Sequence, residues 1–592
     1  LQNIFTMART SISSIRRLQI FLLFCAGVGF LSNIYLNSHF YANDSIKLIS
    51  IEKDLTQKSS KHISTVDIEA NIHERKDELP YLDKEPLNRQ NAKVLVEEYS
   101  QINNLGHRLA GLNCDAYGGP PNDISQEMIY WLDIPSDAKV SSPFRDRNKF
   151  LTFEPDHGGW NNIRMAMETV LVLAHAMGRT LVLPPEADMY LLGKRDNRQK
   201  KQFSFQDFFH MDSLHHEHEG IDIISMEEFL TQQGLTGNLK DFYTGEPLEP
   251  PYSRVDWNGR DLTSLWDYLR KVGHVRSDWN PNECTAAIPA SKDPNDIMEL
   301  KRMIEIINDE NVKPEDFVGK PFPVDAPAID RLKENSCGRK KLCIYDEEMQ
   351  DATLVHFQVG LHESSKRLRL LTHFYSFIFF QDWKQDLWAK RFVRDHVRYI
   401  DEIMCAASRI INALREKTKQ NNIRGDRKNK FGMYDALHVR RGDFQYKKTR
   451  IEADELLERS KRFLEKGATL FIATDERKKS FFDPLTQYYS VHFLDDFSYL
   501  LKDVNTNYYG MIDQLVASKA DIFIGTWWST FSGYVNRMRG YHLSKNKFDG
   551  YKDGTMKSWY FIPDERIEEM QVYHPVRLPL YMREFPTSWR DI

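Results

Sequence analysis

Residues 435–444 read Asp-Ala-Leu-His-Val-Arg-Arg-Gly-Asp-Phe, an apolar run that leads directly into two arginines, a glycine and an aspartate. The run has the length and composition of a buried strand, and a glycine turn follows its carboxyl end. Guanidinium groups keep their charge and bind two phosphate oxygens at once. Because ligands of open α/β sheets lie beyond the carboxyl ends of the strands, Arg440 and Arg441 predict a diphosphate site. For an isolated motif of this kind, a surface salt-bridge cluster is the alternative.

The residues that follow alternate between strand and helix patterns. Strands are predicted at 469–473, 491–494 and 521–525, and helices over 454–464, over 509–518 and through Arg539, the last opened by residues 526–532. This alternation indicates a parallel sheet with helices on both faces. Three strand ends carry polar residues, namely Arg440-Arg441-Gly442-Asp443, Thr474-Asp475-Glu476 and Ser529-Thr530. Three such ends in one sheet predict a ligand crevice along its edge.

An earlier region of the chain predicts a second Rossmann-like lobe. A strand at 149–153, a helix from Asn161 to 177 and a strand at 180–183 form a β-loop-α-β unit. Gly158 and Gly159 precede the helix, where free N–H groups and the helix dipole attract negative or hydroxyl-rich ligands. A plain tight turn is the alternative reading of this glycine pair. The predicted division is an N-terminal lobe over 144–417, with an insertion at 281–345 and a helical layer at 364–416, a linker at 419–430 and a C-terminal nucleotide-binding lobe over 431–592.

The first hundred residues predict a membrane anchor and a stem. Residues 18–36 carry no charge and have the length that spans a bilayer, and basic residues precede them. The positive flank predicts a cytoplasmic tail over 1–17, a single-pass type II signal anchor over 18–36 and a flexible polar stem over 37–110. A cleaved secretory signal is the alternative.

Charge and cysteine content limit the partners and the compartment. The net charge of −5 gives no general basic field for nucleic acid. Five cysteines follow the predicted anchor, so at least one is free or pairs between chains. Cys337 and Cys343 are close enough in sequence to close a small loop, and Cys405 is predicted to be a buried free thiol. The histidine-rich stretch 209–220 is predicted to be a solvated loop, with a metal site as the alternative.

The motifs resemble those of the GDP-fucose protein O-fucosyltransferase superfamily, especially of a fungal or plant-like branch. The resemblance is carried by H-x-R-R-G-D, T-D-E, F-I-G-T-x-x-S-T-F-S and the G-G-x-N-N helix start, over about 150–185 and 434–540. It implies a GT-B-like α/β fold with two Rossmann-like lobes facing a cleft, in a Golgi or endoplasmic reticulum membrane protein with a luminal catalytic part. It also implies inverting transfer of fucose from GDP-fucose to a protein or glycan acceptor. No metal cofactor is implied, and the chain has no D-x-D tripeptide of metal-dependent transferases.

The resemblance also implies roles for individual residues. Arg440 would be catalytic, because it would bind the β-phosphate and stabilise charge on the leaving GDP. Asp521 would face guanine. The complete set of expected GDP-fucose contacts is Gly159, Trp160, Asn161, His438, Arg441, Asp521, Ser529, Thr530 and Phe531. Some relatives place a Glu general base where this chain has Gly158, so a catalytically inactive GDP- or glycan-binding relative is the alternative function.

Overall fold

The structure is a computed structural model of the chain. It describes residues 111–120, 122–130, 140–190, 192, 202–276, 278–310, 322–358, 369–423, 432–442, 446–553, 555–561 and 568–569. The predicted tail, anchor and stem over residues 1–110 lie outside these ranges. Within them, no helix combines the length and the apolar character that crossing a membrane requires.

The N-terminal lobe contains a five-stranded and a three-stranded sheet, both parallel. Its strands are β1 Phe150–Phe153, β2 Thr180–Leu183, β3 Ala187–Asp188, β4 Gln202–Phe203, β5 Ile223–Ser225, β6 His274–Val275, β7 Cys284–Ile288, β8 Lys341–Ile344, β9 Leu354–Phe357 and β10 Ile378–Phe380. The sheet orders are β5-β2-β1-β9-β6 and β10-β7-β8, and β3 pairs with β4 separately. In the first sheet, β2, which follows β1 in the chain, lies on one side of β1, and β9 lies on the other side. The strand order therefore reverses at β1, where open α/β sheets bind their ligands.

The C-terminal lobe contains one six-stranded sheet with the order β13-β12-β11-β14-β15-β16. Its strands are β11 Asp435–Val439, β12 Thr469–Thr474, β13 Ser490–His492, β14 Phe523–Thr526, β15 Ser558–Phe561 and β16 Glu568–Glu569. Every pairing is parallel except that of β15 with β16. The order reverses between β11 and β14. The predicted parallel α/β fold is confirmed.

The described helices cover the faces of the sheets. They are α1 Asn122–Ser125, α2 Trp160–Ala176, α3 Met211–Glu217, α4 Met226–Phe229, α5 Thr263–Val272, α6 Pro294–Asp309, α7 Ala328–Ser336, α8 Glu347–Asp351, α9 Phe374–Phe377, α10 Trp383–His396, α11 Asp401–Ile423, α12 Ala453–Ser460, α13 Asp483–Thr486, α14 Tyr509–Ser518 and α15 Thr530–Lys545. Helix α2 is buried on nearly all sides and ends before Gly178, whose φ of 64° closes the helix. One hydrophobic core includes α2, α10 and α11 together with α14 and α15, so the two lobes share it.

Two stretches of the N-terminal lobe differ from their predictions. The 281–345 region is not a simple insertion, because it supplies β7 and β8 of the second sheet. The helical layer predicted at 364–416 is interrupted by β10, which pairs with β7. A short apolar and aromatic run such as residues 377–380 fits a buried helix and a buried strand equally well by periodicity alone. The predicted 419–430 linker also begins later, because α11 continues to Ile423.

The histidine-rich stretch is partly in the core. His218 is 1% exposed and its ring lies 5.0 Å from that of Phe392 and 4.2 Å from that of His396. The residues before it form the short helix α3. The prediction of a solvated loop is therefore wrong for His218, which acts as an apolar core residue in this environment.

The cysteine predictions also need correction. Disulfides join Cys114 to Cys405 and Cys284 to Cys343, and Cys337 is free and buried. The neighbouring strands β7 and β8 bring Cys284 and Cys343 together. Cys337 therefore does not close a loop with Cys343, and Cys405 is not a free thiol. Burial raises the pKa of the Cys337 thiol to about 11, which keeps it protonated and unreactive.

Peptide mapping under non-reducing conditions should recover the two bridged pairs. We expect linked peptides containing Cys114 with Cys405 and Cys284 with Cys343, and alkylation of Cys337 only after denaturation. Reducing the bridges should lower the free energy of unfolding by about 2–4 kcal/mol each, since both close long loops. A linked peptide containing Cys337 would contradict this pairing.

Candidate active site

The two arginines that follow β11 leave the strand on opposite faces of the sheet. Ala436 faces the core shared by the lobes, whereas Leu437 and Val439 face a separate cluster behind the sheet. Because successive strand residues alternate between faces, Arg440 belongs to the face of Ala436 and Arg441 to the face of Val439. The contacts of each arginine agree with this alternation.

Arg440 is held at the edge of the sheet, at the reversal between β11 and β14. Its Nε lies 3.0 Å from Oδ2 of Asp475, and its side chain is 23% exposed. Its backbone N–H donates to Oγ1 of Thr526 over 3.2 Å, and that hydroxyl donates to the carbonyl of His438 over 2.8 Å. Arg440 is therefore fixed by the ends of three neighbouring strands while part of its side chain reaches solvent.

Arg441 is engaged behind the sheet. Its guanidinium lies 3.9 Å above the ring of Phe481, its Nε donates to Glu476 over 3.2 Å and its Nη1 donates to the carbonyl of Ile451 over 2.7 Å. These contacts do not fit the expectation that both guanidiniums bind one diphosphate. The reason is the alternation of strand side chains, which separates adjacent residues.

His438 is a buried neutral ring beside Arg440. It is 3% exposed, its Nδ1 lies 2.8 Å from Oγ of Ser532, and its ring stacks on Phe531 with 4.2 Å between centroids. Burial, followed by the charge of Arg440, lowers the pKa of His438 to about 3. The ring therefore stays uncharged at physiological pH and positions Phe531 at the start of α15.

The depressed pKa of His438 predicts a pH dependence of stability. A folded-state pKa near 3 against an unfolded value near 6.5 means that its contribution is complete above pH 6.5 and falls as the pH drops towards 3. Between these two pH values, protonation of His438 in the unfolded state should make the unfolding free energy of wild type fall by up to about 1.4 kcal/mol per pH unit. His438→Asn should remove this part of the decline. Urea unfolding of both proteins from pH 7 to pH 4 measures this slope. Identical slopes would contradict a neutral buried ring.

The first turns of α2 and α15 meet across the two lobes. Thr530 donates from Oγ1 to Oδ1 of Asn162 over 2.9 Å, and Gln514 donates from Nε2 to Oδ1 of Asn161 over 2.7 Å. Helix starts carry unpaired N–H groups and the positive end of the dipole. A Cβ on Gly159, which precedes α2, would meet no atom within 4 Å. The two helix starts therefore lie at the edge of the C-terminal sheet that also carries Arg440, and this region, called the crevice below, is suited to an anionic ligand.

The side chain of Trp160 lies in the core and does not line this crevice. Its indole is 8% exposed and donates from Nε1 to the hydroxyl of Tyr399 over 3.1 Å. That hydroxyl donates to Oε1 of Gln514 over 3.0 Å. The indole ring of Trp160 therefore does not make the expected contact with GDP-fucose. It instead supports the polar bridge between the lobes.

Asp521 lies at the wrong end of its strand for a guanine contact. Its backbone N–H donates to the carbonyl of Tyr434, and Nζ of Lys557 donates to its Oδ1 over 3.0 Å. Both Asp521 and Tyr434 precede their strands, whereas Ser529 follows the other end of β14. At about 3.3 Å per residue, the length of the strand separates Asp521 from the crevice by roughly 15 Å. The structure therefore places Asp521 at the opposite end of β14 from the crevice.

The glycine turn before α2 has no room for a side chain at 158. Asp156 accepts from Nε and Nη2 of Arg369 over 2.7 and 2.6 Å and from the N–H of Gly158 over 2.7 Å. A Cβ on Gly158 would lie 2.4 Å from Nδ2 of Asn162 and 2.7 Å from Oδ1 of Asp156. In this chain the turn holds the Asp156–Arg369 ion pair, and the carboxylate of Asp156 accepts from three donors.

Three residues of this site were not assigned a role from the sequence. They are Asn162, Asp475 and Gln514. Gln514 is fully buried on a largely apolar helix, and it is visible in the sequence as a polar residue on a buried stripe. In the part of the chain that the structure describes, no three His, Cys, Asp or Glu side chains come together as metal ligands.

Comparison with known proteins assigns the family. The family model described as GDP-fucose protein O-fucosyltransferase matches residues 150–542 of the 592-residue chain. The chain belongs to this family. The expected resemblance and the expected enzyme class, a GDP-fucose-dependent fucosyltransferase, are confirmed. The match covers β1, α2 and the stretch from β11 to residue 542 in α15, which includes the residues that form the crevice.

Solved structures of fucosyltransferases are among the similar proteins. POFUT1 in complex with GDP is 16% identical, with a TM-score of 0.27, over 67% of this chain and 95% of that chain. A mutant of Arabidopsis thaliana FUT1 in complex with GDP is 10% identical, with a TM-score of 0.30, over 81% and 83%. Fucosyltransferase NodZ from Bradyrhizobium is 11% identical, with a TM-score of 0.27, over 72% and 99%. No curated protein sequence matched the chain. The family assignment depends on the family match alone.

Proposed function

We propose that this member of the family transfers fucose from GDP-fucose to a hydroxyl of a protein or glycan acceptor, with inversion and without a metal ion. The observation that carries the proposal is the position of Arg440, partly exposed at the edge of the sheet beside the starts of α2 and α15. The POFUT1 and FUT1 structures named above hold GDP, a ligand of the charge that this crevice suits. GDP-fucose and the acceptor are the proposed partners, within a GT-B-like arrangement of the two lobes.

In the proposed reaction, the acceptor oxygen forms a bond to the anomeric carbon of fucose as the bond to the β-phosphate oxygen breaks. The electron pair of the broken bond leaves on GDP. Arg440 donates to the β-phosphate oxygens, and the hydroxyl of Ser529 and the backbone N–H of Thr530, at the start of α15, hold the diphosphate. Gly159 and Asn161 lie on the opposite side of the crevice, and His438 and Phe531 form its stacked apolar wall.

The acceptor proton has no assigned base in this chain. Asp156 is occupied by Arg369, and Gly158 carries no side chain. We therefore propose that stabilisation of the leaving group dominates, as expected of a transition state in which the bond to GDP is largely broken before the acceptor attacks. The proton then passes to solvent.

The same observation at Gly158 favours a second candidate, a catalytically silent GDP- or glycan-binding relative. One assay separates the two. The purified chain is incubated with a panel of sugar nucleotides and with glycan and peptide acceptors, with and without EDTA, and the products are analysed by mass. Fucosylated product from GDP-fucose in the presence of EDTA supports the proposal. Calorimetric GDP binding without any product supports the silent relative, and no GDP affinity excludes both.

We also propose a type II topology in the Golgi or endoplasmic reticulum membrane, with the crevice in the lumen. The uncharged stretch at 18–36 and the two disulfides support it, because an oxidising compartment preserves disulfides. Protease treatment of sealed microsomes should leave the folded part intact, and its digestion without detergent would contradict a luminal position.

A further inference from the structure

Two adjacent acids follow β12, and each forms an ion pair with one of the two adjacent arginines that follow β11. Val439 and Thr474 are the last paired residues of the two strands. Arg440 and Asp475 come one residue after this pair and therefore face one side of the sheet. Arg441 and Glu476 come two residues after it and face the other side. Asp475 therefore meets Arg440, and Glu476 meets Arg441, as the 3.0 and 3.2 Å ion pairs show.

Asp475 contacts the arginine turn through two backbone hydrogen bonds and one ion pair. Its Oδ1 accepts from the N–H of Arg441 over 2.7 Å, and its Oδ2 accepts from the N–H of Gly442 over 3.0 Å. Nε of Arg440 lies 3.0 Å from the same Oδ2. A Cβ on Gly442 would lie 2.6 Å from Oδ2, so the glycine of the motif makes room for this carboxylate.

Thr474 also connects the ends of β11 and β12 through hydrogen bonds. Its Oγ1 donates to the carbonyl of Val439 over 2.7 Å and accepts from the N–H of Glu476 over 3.0 Å. The three residues of T-D-E thus contact the backbone or side chains of the arginine motif, and the two motifs form one structural unit.

We propose that Asp475 is a positioning residue for the transfer reaction, whose ion pair at Nε of Arg440 orients the guanidinium towards the leaving β-phosphate. This inference rests on the proposed function. A guanidinium presents its donors in a rigid planar fork, so fixing one edge fixes the direction of the other. Glu476 instead pairs with Arg441 on the other face of the sheet, where Arg441 is also held by the ring of Phe481 and the carbonyl of Ile451.

Asparagine cannot replace Asp475 in this role. Each carboxylate oxygen accepts from one backbone N–H, and the negative charge pairs with Arg440, whereas an amide is neutral and has one oxygen and one NH₂ group. In either orientation, Asp475→Asn places its NH₂ against a backbone N–H or against Nε of Arg440. The guanidinium then loses its fixed direction, although the side chain keeps its size.

The test is a double-mutant cycle with a matched control. We expect Asp475→Asn to lower kcat for GDP-fucose by about 10- to 100-fold with a smaller change in KM, because an Arg pre-aimed at the leaving group acts mainly in the transition state. In an Arg440→Ala background, the same substitution should change kcat by less than about threefold, since it acts through Arg440. Glu476→Gln, which alters the neighbouring ion pair on the other face, should change kcat by less than about threefold.

The outcomes separate this inference from the proposed function. If wild type transfers fucose and Arg440→Ala does so measurably more slowly, but Asp475→Asn is fully active or lowers kcat equally in both backgrounds, the positioning role is overturned. If no variant transfers fucose, calorimetry with GDP replaces kcat. Non-additive losses of GDP affinity for Arg440→Ala and Asp475→Asn would then support the role, and additive losses would overturn it. An absence of GDP binding by wild type would overturn both the function and the role.

Discussion

Arg440→Ala should lower the turnover of GDP-fucose by roughly 10²- to 10³-fold, which corresponds to about 2.7–4 kcal/mol of transition-state stabilisation. The loss should appear mainly in kcat, since the negative charge on GDP grows as the bond to fucose breaks. Thr526 and Asp475 hold Arg440 from its backbone and from its Nε, so little motion is needed to meet that charge. Initial rates of fucose transfer at saturating acceptor measure the effect.

Arg441→Ala is the matched control for this prediction. It removes the neighbouring guanidinium, which stacks on Phe481 and pairs with Glu476 behind the sheet. We expect it to lower the unfolding temperature and to reduce turnover by less than about tenfold, because its contacts are structural. If Arg441→Ala inactivates the folded protein while Arg440→Ala does not, the roles of the two arginines are the reverse of those described here.

Glu168→Ala should cause the largest loss of stability of any single change discussed here, about 3–5 kcal/mol. Glu168 on α2 accepts from Nη1 of Arg164 over 2.5 Å and from Nη2 of Arg537 on α15 over 2.8 Å, and all three side chains are 1% exposed. The guanidinium of Arg164 also lies 3.5 Å above the ring of Tyr534. Removing the carboxylate leaves two buried cations without their counter-charge at the junction of the lobes.

Asp503→Ala is the control for the buried triad. Asp503 is 55% exposed and lies 3.1 Å from Arg409 on α11. Because solvent screens an exposed pair, its loss should cost no more than about 1 kcal/mol. Denaturant unfolding of the three proteins measures the difference. Equal losses for Glu168→Ala and Asp503→Ala would contradict the view that the triad fastens α2 to α15.

The strand ends of the crevice were predictable because their sequence signals are local. The apolar run before Arg440, the glycines before α2 and the S-T-F-S helix start each lie within a few residues of the boundary that they mark. Placing them in one crevice required only the rule that parallel strands end at one edge. The separation of Arg440 from Arg441 also follows from the period of a strand. The sequence prediction, by contrast, placed both arginines on one diphosphate.

The remaining features depend on tertiary pairing, which a single sequence does not carry. Asp521 reads as part of an apolar strand, and only the register with Tyr434 shows that it precedes the paired residues. The bridge between Cys284 and Cys343 depends on β7 lying beside β8. The bridge between Gln514 and Asn161 joins residues far apart in sequence, so no local pattern identifies the partner.

The contact between Arg440 and the β-phosphate is tested most directly by comparing GDP and GMP. Calorimetry with wild type and Arg440→Ala gives four dissociation constants, and their double difference isolates the interaction of this side chain with the terminal phosphate. A charge-assisted hydrogen bond contributes about 1.5–3 kcal/mol, so wild type should prefer GDP by roughly 10- to 100-fold and Arg440→Ala should lose most of that preference. An unchanged preference for GDP in Arg440→Ala would show that Arg440 does not bind the leaving diphosphate.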